Sequence, residues 1–126
     1  MSLDTPILFA ATTDSKRARA FYEKALGLKC VADDPFAIVF EVGALTLRIQ
    51  KVAHKPKLEY TVLGWMITSI EEEVARLTSA GVQFSRFEGL DQDKSGVWRS
   101  PSGAKVAWFS DPDGNILSLT EQKSLK

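Results

Sequence analysis

A pattern of one strand, one helix stopped by glycine and three more strands runs through the first half of this sequence and again through the second. That repeat restricts the chain to folds made of two like modules. In the first pass residues 6–12 are strand-like, Asp14 and Ser15 are helix caps, residues 16–26 carry the helix and Gly27 stops it. Ala18, Phe21, Tyr22, Ala25 and Leu26 recur at spacings of three and four, so this helix has one apolar stripe and packs on one side of a sheet. Residues 28–32, 36–42 and 45–52 follow as β-like runs, divided by Asp33-Asp34-Pro35 and by Gly43. Residues 54–59 form a polar connector, and the order restarts. Residues 60–67 read as strand, Ser69 with Glu72 as a capping box, residues 70–80 as a helix on an Ile70, Val74 and Leu77 stripe, and Gly81 as its stop. Residues 82–87, 105–110 and 116–122 supply three more strands. The expected fold class is α+β with two βαβββ modules, repeat 1 over about residues 5–52 and repeat 2 over about 60–122, in a single domain of 1–126. Each module should form a half-open sheet with its helix outside. The pair would then make a concave, half-barrel-like sheet whose inner face is filled by side chains or by a ligand.

Composition narrows the partners. Among 126 residues, 16 Lys plus Arg balance 16 Asp plus Glu, so the formal net charge is zero. No long-range field favours phosphate, and nucleic acid is not expected as a partner. Cys30 is the single cysteine and His54 the single histidine. No disulfide or thiolate metal cluster can form within the chain, and a reducing, cytoplasmic location is expected. No window approaches the ~18–20 apolar residues of a membrane span, and the start lacks a basic-then-apolar leader, so no membrane partner is expected either.

Two motifs point further. Phe21-Tyr22 with Leu26-Gly27-Leu28 closes the first helix, and Asp111-Pro112-Asp113-Gly114-Asn115 precedes the last strand. Set in the duplicated layout, they resemble the vicinal oxygen chelate (VOC) superfamily, which includes glyoxalase I, bleomycin-resistance proteins and extradiol dioxygenases. The resemblance spans nearly the whole chain. It implies the glyoxalase/bleomycin-resistance/dioxygenase fold and a homodimer. By itself the second motif is a good turn between strands. As a calcium loop it fails, because an EF-hand needs glycine at its sixth position and glutamate at its twelfth, where Ile116 and Gln122 stand.

Metal-using members of the superfamily take one ligand from the inner face of each of four strands, usually His or Gln from the first strand of a repeat and Glu from its last. Carried over by this sequence's own landmarks, those places fall at Ile7, Arg48, Val62 and Ser118, with Gln50 as the nearest alternative to Arg48. Two have no donor, one is a permanent cation and the last is a neutral hydroxyl, so no divalent site can be assembled from them. No metal ligand, cofactor or catalytic residue is assigned. The expected activity is metal-free binding of a small organic molecule, anionic or aromatic, in the cleft between modules, as in bleomycin-resistance-type sequestration. The alternative is a glyoxalase-like lyase or isomerase, or a dioxygenase, using displaced metal ligands or a carboxylate base. Glu41 and Glu121 would be the available bases, but both read as solvated, and strand parity turns Glu121 away from Ser118. His54 reads as an exposed loop residue without orienting partners.

Period-two alternation extends these places into a lining. Ile7 brings Phe9 and Ala11 with it, Arg48 brings Thr46 and Gln50, Val62 brings Gly64 and Met66, and Ser118 brings Ile116 and Thr120. The expected ligand-binding set is Ile7, Phe9, Arg48, Gln50, Val62, Met66, Trp98, Trp108 and Ser118. An arginine in such a wall is either paired, with Glu41 as the internal choice, or waits for a ligand anion. Trp65 is expected in the core beneath the second helix. Trp98 lies in residues 89–103, read as a long loop, where Trp98 and Arg99 would cap a ligand or anchor the loop to the surface.

Overall fold

The computed structural model describes residues 3–122. The chain divides into two compact units, one of the residues up to Leu58 together with Asp111–Asn115, the other of Glu59–Ser110 and the residues from Ile116 onward. Each unit holds one open four-stranded sheet, and the strand order is the same in both: first strand, fourth, third, second. The α+β class and the duplicated βαβββ order are therefore as the sequence indicated. Among the described residues no helix is long and apolar enough to cross a membrane.

In the first unit β1 (Ile7–Thr12) leads into α1 (Ser15–Ala20), and β2 (Lys29–Asp33), β3 (Ala37–Val42) and β4 (Leu45–Lys51) follow. Asp14 caps α1, its carboxylate accepting the Arg17 N–H at 3.1 Å. The helix was expected to stay α-helical to residue 26. Instead Phe21–Ala25 form a π-helical turn, in which the Leu26 N–H reaches back five residues to the Phe21 carbonyl at 3.1 Å. That widened turn carries the fully buried Tyr22, whose ring packs on Phe40 with centroids 5.7 Å apart. Ala10, Ile38, Phe40, Leu47 and Ile49 complete the buried, helix-covered face of the sheet. Each large side chain among them contributes about 1.5–3 kcal/mol through its burial. Asp34 organises the turn between β2 and β3. Hydrogen bonds from the N–H groups of Phe36 (2.7 Å) and Ala37 (2.9 Å) hold its carboxyl below the usual carboxylate range.

Asp111–Asn115 joins this unit through a compact set of bonds. Tyr22 donates its hydroxyl to Asp111 Oδ2 at 2.6 Å, and Asn115 Nδ2 donates to the same oxygen at 2.7 Å and to the Ala11 carbonyl at 2.8 Å. Burial, reinforced by the Asp111 carboxylate, pushes the Tyr22 phenol far up, so it remains a donor at every physiological pH. Asp113 accepts from Thr12 Oγ1 at 2.5 Å and from the Thr13 N–H at 2.9 Å. These donors answer the calcium-loop reading, since both carboxylates are already occupied by protein groups.

Burial alone would raise the Asp113 pKa, but the hydrogen bonds from Thr12 and Thr13 and the Arg17 charge outweigh it and hold the carboxyl below its ordinary value. A depressed folded-state pKa stabilises the fold above the unfolded value, and that stabilisation is lost as pH falls through the folded value. Asp113→Asn is therefore expected to reduce stability at pH 7 and to flatten its decline below about pH 4. Urea unfolding of both proteins at pH 7 and pH 3 checks this; an equally steep acid loss in the variant would contradict it.

The second unit runs β5 (Thr61–Met66), α2 (Ile70–Ser79), β6 (Trp98–Arg99), β7 (Lys105–Ser110) and β8 (Ile116–Glu121). Ser69 caps α2 by accepting the Glu72 N–H at 3.4 Å. Glu121, read from the sequence as solvated, instead accepts the Ile70 N–H at 2.8 Å and places a carboxylate at the positive end of α2. Leu63, Ile70, Val74, Leu77, Ala107, Phe109, Leu117 and Leu119 form the buried layer.

The expected strand over residues 82–87 does not form. Phe84 makes one isolated bridge to Phe109, and the fourth strand of the sheet is the short β6, inside the segment read as a loop. The cause is a side chain that competes with strand pairing. Gln92 Oε1 accepts the Phe87 N–H at 2.7 Å, while its Nε2 donates to the carbonyls of Ser85 (2.9 Å) and Gly96 (2.8 Å). Backbone groups that would extend a ladder are thereby captured within the excursion.

Candidate ligand-binding faces

Each sheet has one face covered by its helix and one face turned the other way. In the first unit β1 lies parallel to β4 with Ile7 opposite Thr46, Phe9 opposite Arg48 and Ala11 opposite Gln50. Partners in register share a face, so Ile7, Phe9, Arg48 and Gln50 lie together on the side away from α1. Val39 of β3 flanks Arg48 on the other side. Ile7 and Phe9, on the edge strand β1, are 51% and 48% exposed, a large apolar area left uncovered.

In the second unit Gly64 pairs with Ser118 and Met66 with Thr120, while Trp108 lies opposite Ser118 and Trp98 opposite Val106. Met66, Trp98, Trp108 and Ser118 thus share the face away from α2. The two indoles have centroids 6.0 Å apart, and Phe87 meets Trp108 edge-on at 5.3 Å. Gly64 keeps the row beside Ser118 bare: a Cβ there would lie 3.2 Å from the Ser118 carbonyl oxygen and closer still to its hydroxyl. Adjacent, tilted indoles couple their transitions, so wild-type protein should give an exciton couplet in far-UV circular dichroism that disappears in Trp98→Phe. An unchanged spectrum would mean that the pair is not formed in solution.

Two points left by the sequence are settled in register. Of the two roles open to Trp98 and Arg99, a joint cap does not fit, because as consecutive residues of β6 they point to opposite faces, Arg99 pairing with Lys105 on the helix side. Val62 does not continue the Gly64 and Met66 series in register, because β5 shifts between Thr61 and Leu63 and leaves Val62 without a partner on β8. Phe87 is a site residue the sequence reading missed. Its place beside Trp108 depends on the path imposed by Gln92, for which hydrophobic periodicity carries no signal.

A groove of about 720 Å³ also lies on the second unit, bounded by Val74 and Thr78 of α2 and by Phe84, Arg86 and Val97. Arg86, Glu71 and Asp93 on its wall are already committed to protein partners. Arg86 donates to the Asp93 carbonyl at 2.6 Å, and Glu71 pairs with Lys105 at 3.0 Å.

Residues 7–120 match the model of the glyoxalase-like domain family. The chain belongs to that family. With it the chain joins the VOC superfamily, as solved structures reflect. A member of the glyoxalase/bleomycin resistance protein/dioxygenase superfamily from Sphaerobacter thermophilus DSM 20745 is 26% identical, with a TM-score of 0.71 over 94% of this chain and 98% of its own. The fosfomycin resistance protein FosX from Listeria monocytogenes, 15% identical, has a TM-score of 0.75 over 98% of this chain and 96% of its own. Lactoylglutathione lyase from Agrobacterium tumefaciens, 19% identical, has a TM-score of 0.70 over 95% and 96% of the two chains. No match is found among curated protein sequences.

The metal used by part of the superfamily does not fit the donors this glyoxalase-like domain offers. In the first unit the expected places are an alkyl group, Ile7, and a guanidinium, Arg48, whose register neighbours are Phe9 and Val39. In the second unit they are the out-of-register Val62 and the hydroxyl of Ser118, flanked by Gly64 and Trp108. The superfamily's divalent ion is held by imidazole, amide-oxygen and carboxylate ligands, and none of these stands at those places. Among the described residues no three His, Cys, Asp or Glu side chains are grouped to hold one elsewhere.

Proposed function

We propose that this glyoxalase-like domain binds a small organic molecule on the helix-free faces of its sheets, without a metal ion, and that sequestering the ligand is its activity. The observation that carries this reading is the chemistry of those faces. Exposed Ile7, Phe9 and Met66 and the Trp98–Trp108 pair offer apolar and aromatic contact area, and the neutral groups of Gln50 and Ser118 offer hydrogen bonds. A reaction in the manner of the lyases would need an electrophile or base on the same faces. Glu41 is the carboxylate there; it is exposed and lies opposite Thr46, with Lys29 opposite it on the next strand. Fold likeness to FosX and to the lyase does not transfer their chemistry.

A thermal-shift screen of small organic compounds on metal-depleted protein, followed by tryptophan fluorescence titration, tests the proposal. Stabilisation without added metal, with quenching that is lost in Trp108→Phe, is expected. One tightly held divalent ion per chain in protein purified without chelator would sink it.

A further inference from the structure

We infer that the helix-free face of the first sheet is a site for an organic carboxylate, in which Arg48 takes the anion and Phe9 with Ile7 supports the hydrocarbon frame. This rests on reading that face as a ligand surface and adds the ligand's chemical class.

Arg48 is half-buried, and among the described residues its guanidinium makes no ion pair and no hydrogen bond. The contrast with the other arginines is informative. Arg17 reaches Asp113, Arg19 reaches Asp33 and Glu23, Arg76 reaches Glu73, and Arg86 bonds backbone carbonyls. Arg99 makes no side-chain ion pair or hydrogen bond among the described residues either, but it is exposed and water serves it. A half-buried cation cannot rely on water to the same extent, and leaving it unpaired costs free energy.

The nearby carboxylates make no hydrogen bond or ion pair with it, although the Arg48 charge reaches Asp34 and helps to hold that carboxyl low. Glu41 shares the face, yet it lies opposite Thr46, two residues along the ladder from Val39, the partner of Arg48, and no ion pair forms. Asp34 holds the N–H groups of Phe36 and Ala37 in the turn before β3. The immediate surroundings are instead Phe9 and Val39 across the ladder and Thr46 and Gln50 along the strand.

That combination selects among anions. A guanidinium offers a planar fork that matches a carboxylate with two parallel hydrogen bonds. The apolar groups on either side leave a highly hydrated inorganic anion with unsatisfied oxygens, whereas a carboxylate on an aromatic or aliphatic frame satisfies both halves of the site. Arg48 is then a specificity-determining residue, the one that separates an acid from its neutral amide.

The experiment uses 2-naphthoate and 2-naphthamide, which share a frame and differ in charge, titrated calorimetrically into the full chain. Wild-type protein should bind the acid at least about ten-fold more tightly than the amide, and raising the salt should weaken only the acid. Arg48→Met should bring the acid down to the level of the amide and leave the amide unchanged, while Arg48→Lys keeps part of the preference. Arg48→Met breaks no hydrogen bond or ion pair and loses only the longer-range attraction to Asp34, so its melting temperature should stay close to that of wild type. Equal affinities for the two probes in wild type, or an equal loss of both in Arg48→Met, would overturn the inference. So would failure of both probes to bind. A carboxylate stabiliser from the screen whose binding ignores Arg48→Met would also overturn it, while leaving the binding reading intact.

Discussion

Asp111→Ala is expected to remove about 3–5 kcal/mol of stability, the largest loss from any single polar substitution in the chain. One carboxylate, with its residue only 5% exposed, accepts from Tyr22 Oη and Asn115 Nδ2 through Oδ2 and from the N–H groups of Asp113 and Asn115 through Oδ1. Truncation leaves all of these donors without their acceptor, and for buried groups the desolvation penalty is then uncompensated. For a chain of this size the loss corresponds to a fall of roughly 10–20 °C in melting temperature. Asp111→Asn should be nearly as damaging, although it keeps the shape, because an amide presents its NH₂ to donors at one of the two oxygen positions. Tyr22→Phe removes only one bond and leaves Asn115 on the same oxygen, so its cost should be about 1–2 kcal/mol. Urea unfolding followed by calorimetry gives the comparison. A loss below 1 kcal/mol for the alanine variant would mean that the segment is held by something other than this carboxylate.

The same cluster explains how far the sequence could be read. Phe21-Tyr22 and Asp111-Pro112-Asp113-Gly114-Asn115 were legible as motifs because each is a local pattern, an aromatic pair on a helical stripe and a turn with Asx chemistry. Their meeting through Tyr22 and Asp111, 89 positions apart, is a tertiary event that no local pattern encodes. Sheet faces were legible wherever alternation was unbroken. Thus Ile7, Phe9, Arg48 and Gln50 fall on one face, and so do Met66, Trp108 and Ser118. Alternation failed at Val62, because a bulge resets the count by one residue, and Gly64 in the same strand does not mark which residue is skipped. The helix through Phe21–Ala25 kept its apolar stripe while changing its hydrogen-bond register, a difference of one residue that composition cannot reveal. Residues 82–103 were misread for a different reason. Val82, Phe84 and Phe87 have β-forming character, but the local polar chemistry of Gln92 and Asp93 overrides it.

That override leads to the second large effect. Gln92→Leu should cost about 2–3 kcal/mol although it replaces a polar side chain with an apolar one of similar size. The amide satisfies three backbone groups at once, the Phe87 N–H and the carbonyls of Ser85 and Gly96, and two of those bonds are partly buried. A leucine satisfies none of them. The consequences should reach the aromatic cluster: faster hydrogen exchange at the Phe87 amide, a weaker circular dichroism couplet from Trp98 and Trp108, and poorer binding of aromatic probes, while the first unit keeps its protection. Gln92→Glu separates the roles of the two side-chain atoms. The introduced carboxylate can still accept from Phe87, but its second oxygen meets two carbonyls, which disfavours the charged form and raises the folded-state pKa. A raised pKa gives stability below the unfolded value that is lost as pH rises through the folded one. Gln92→Glu should therefore be close to wild type below about pH 4 and fall toward Gln92→Leu near pH 7, a pH dependence that simple loosening of the loop would not produce.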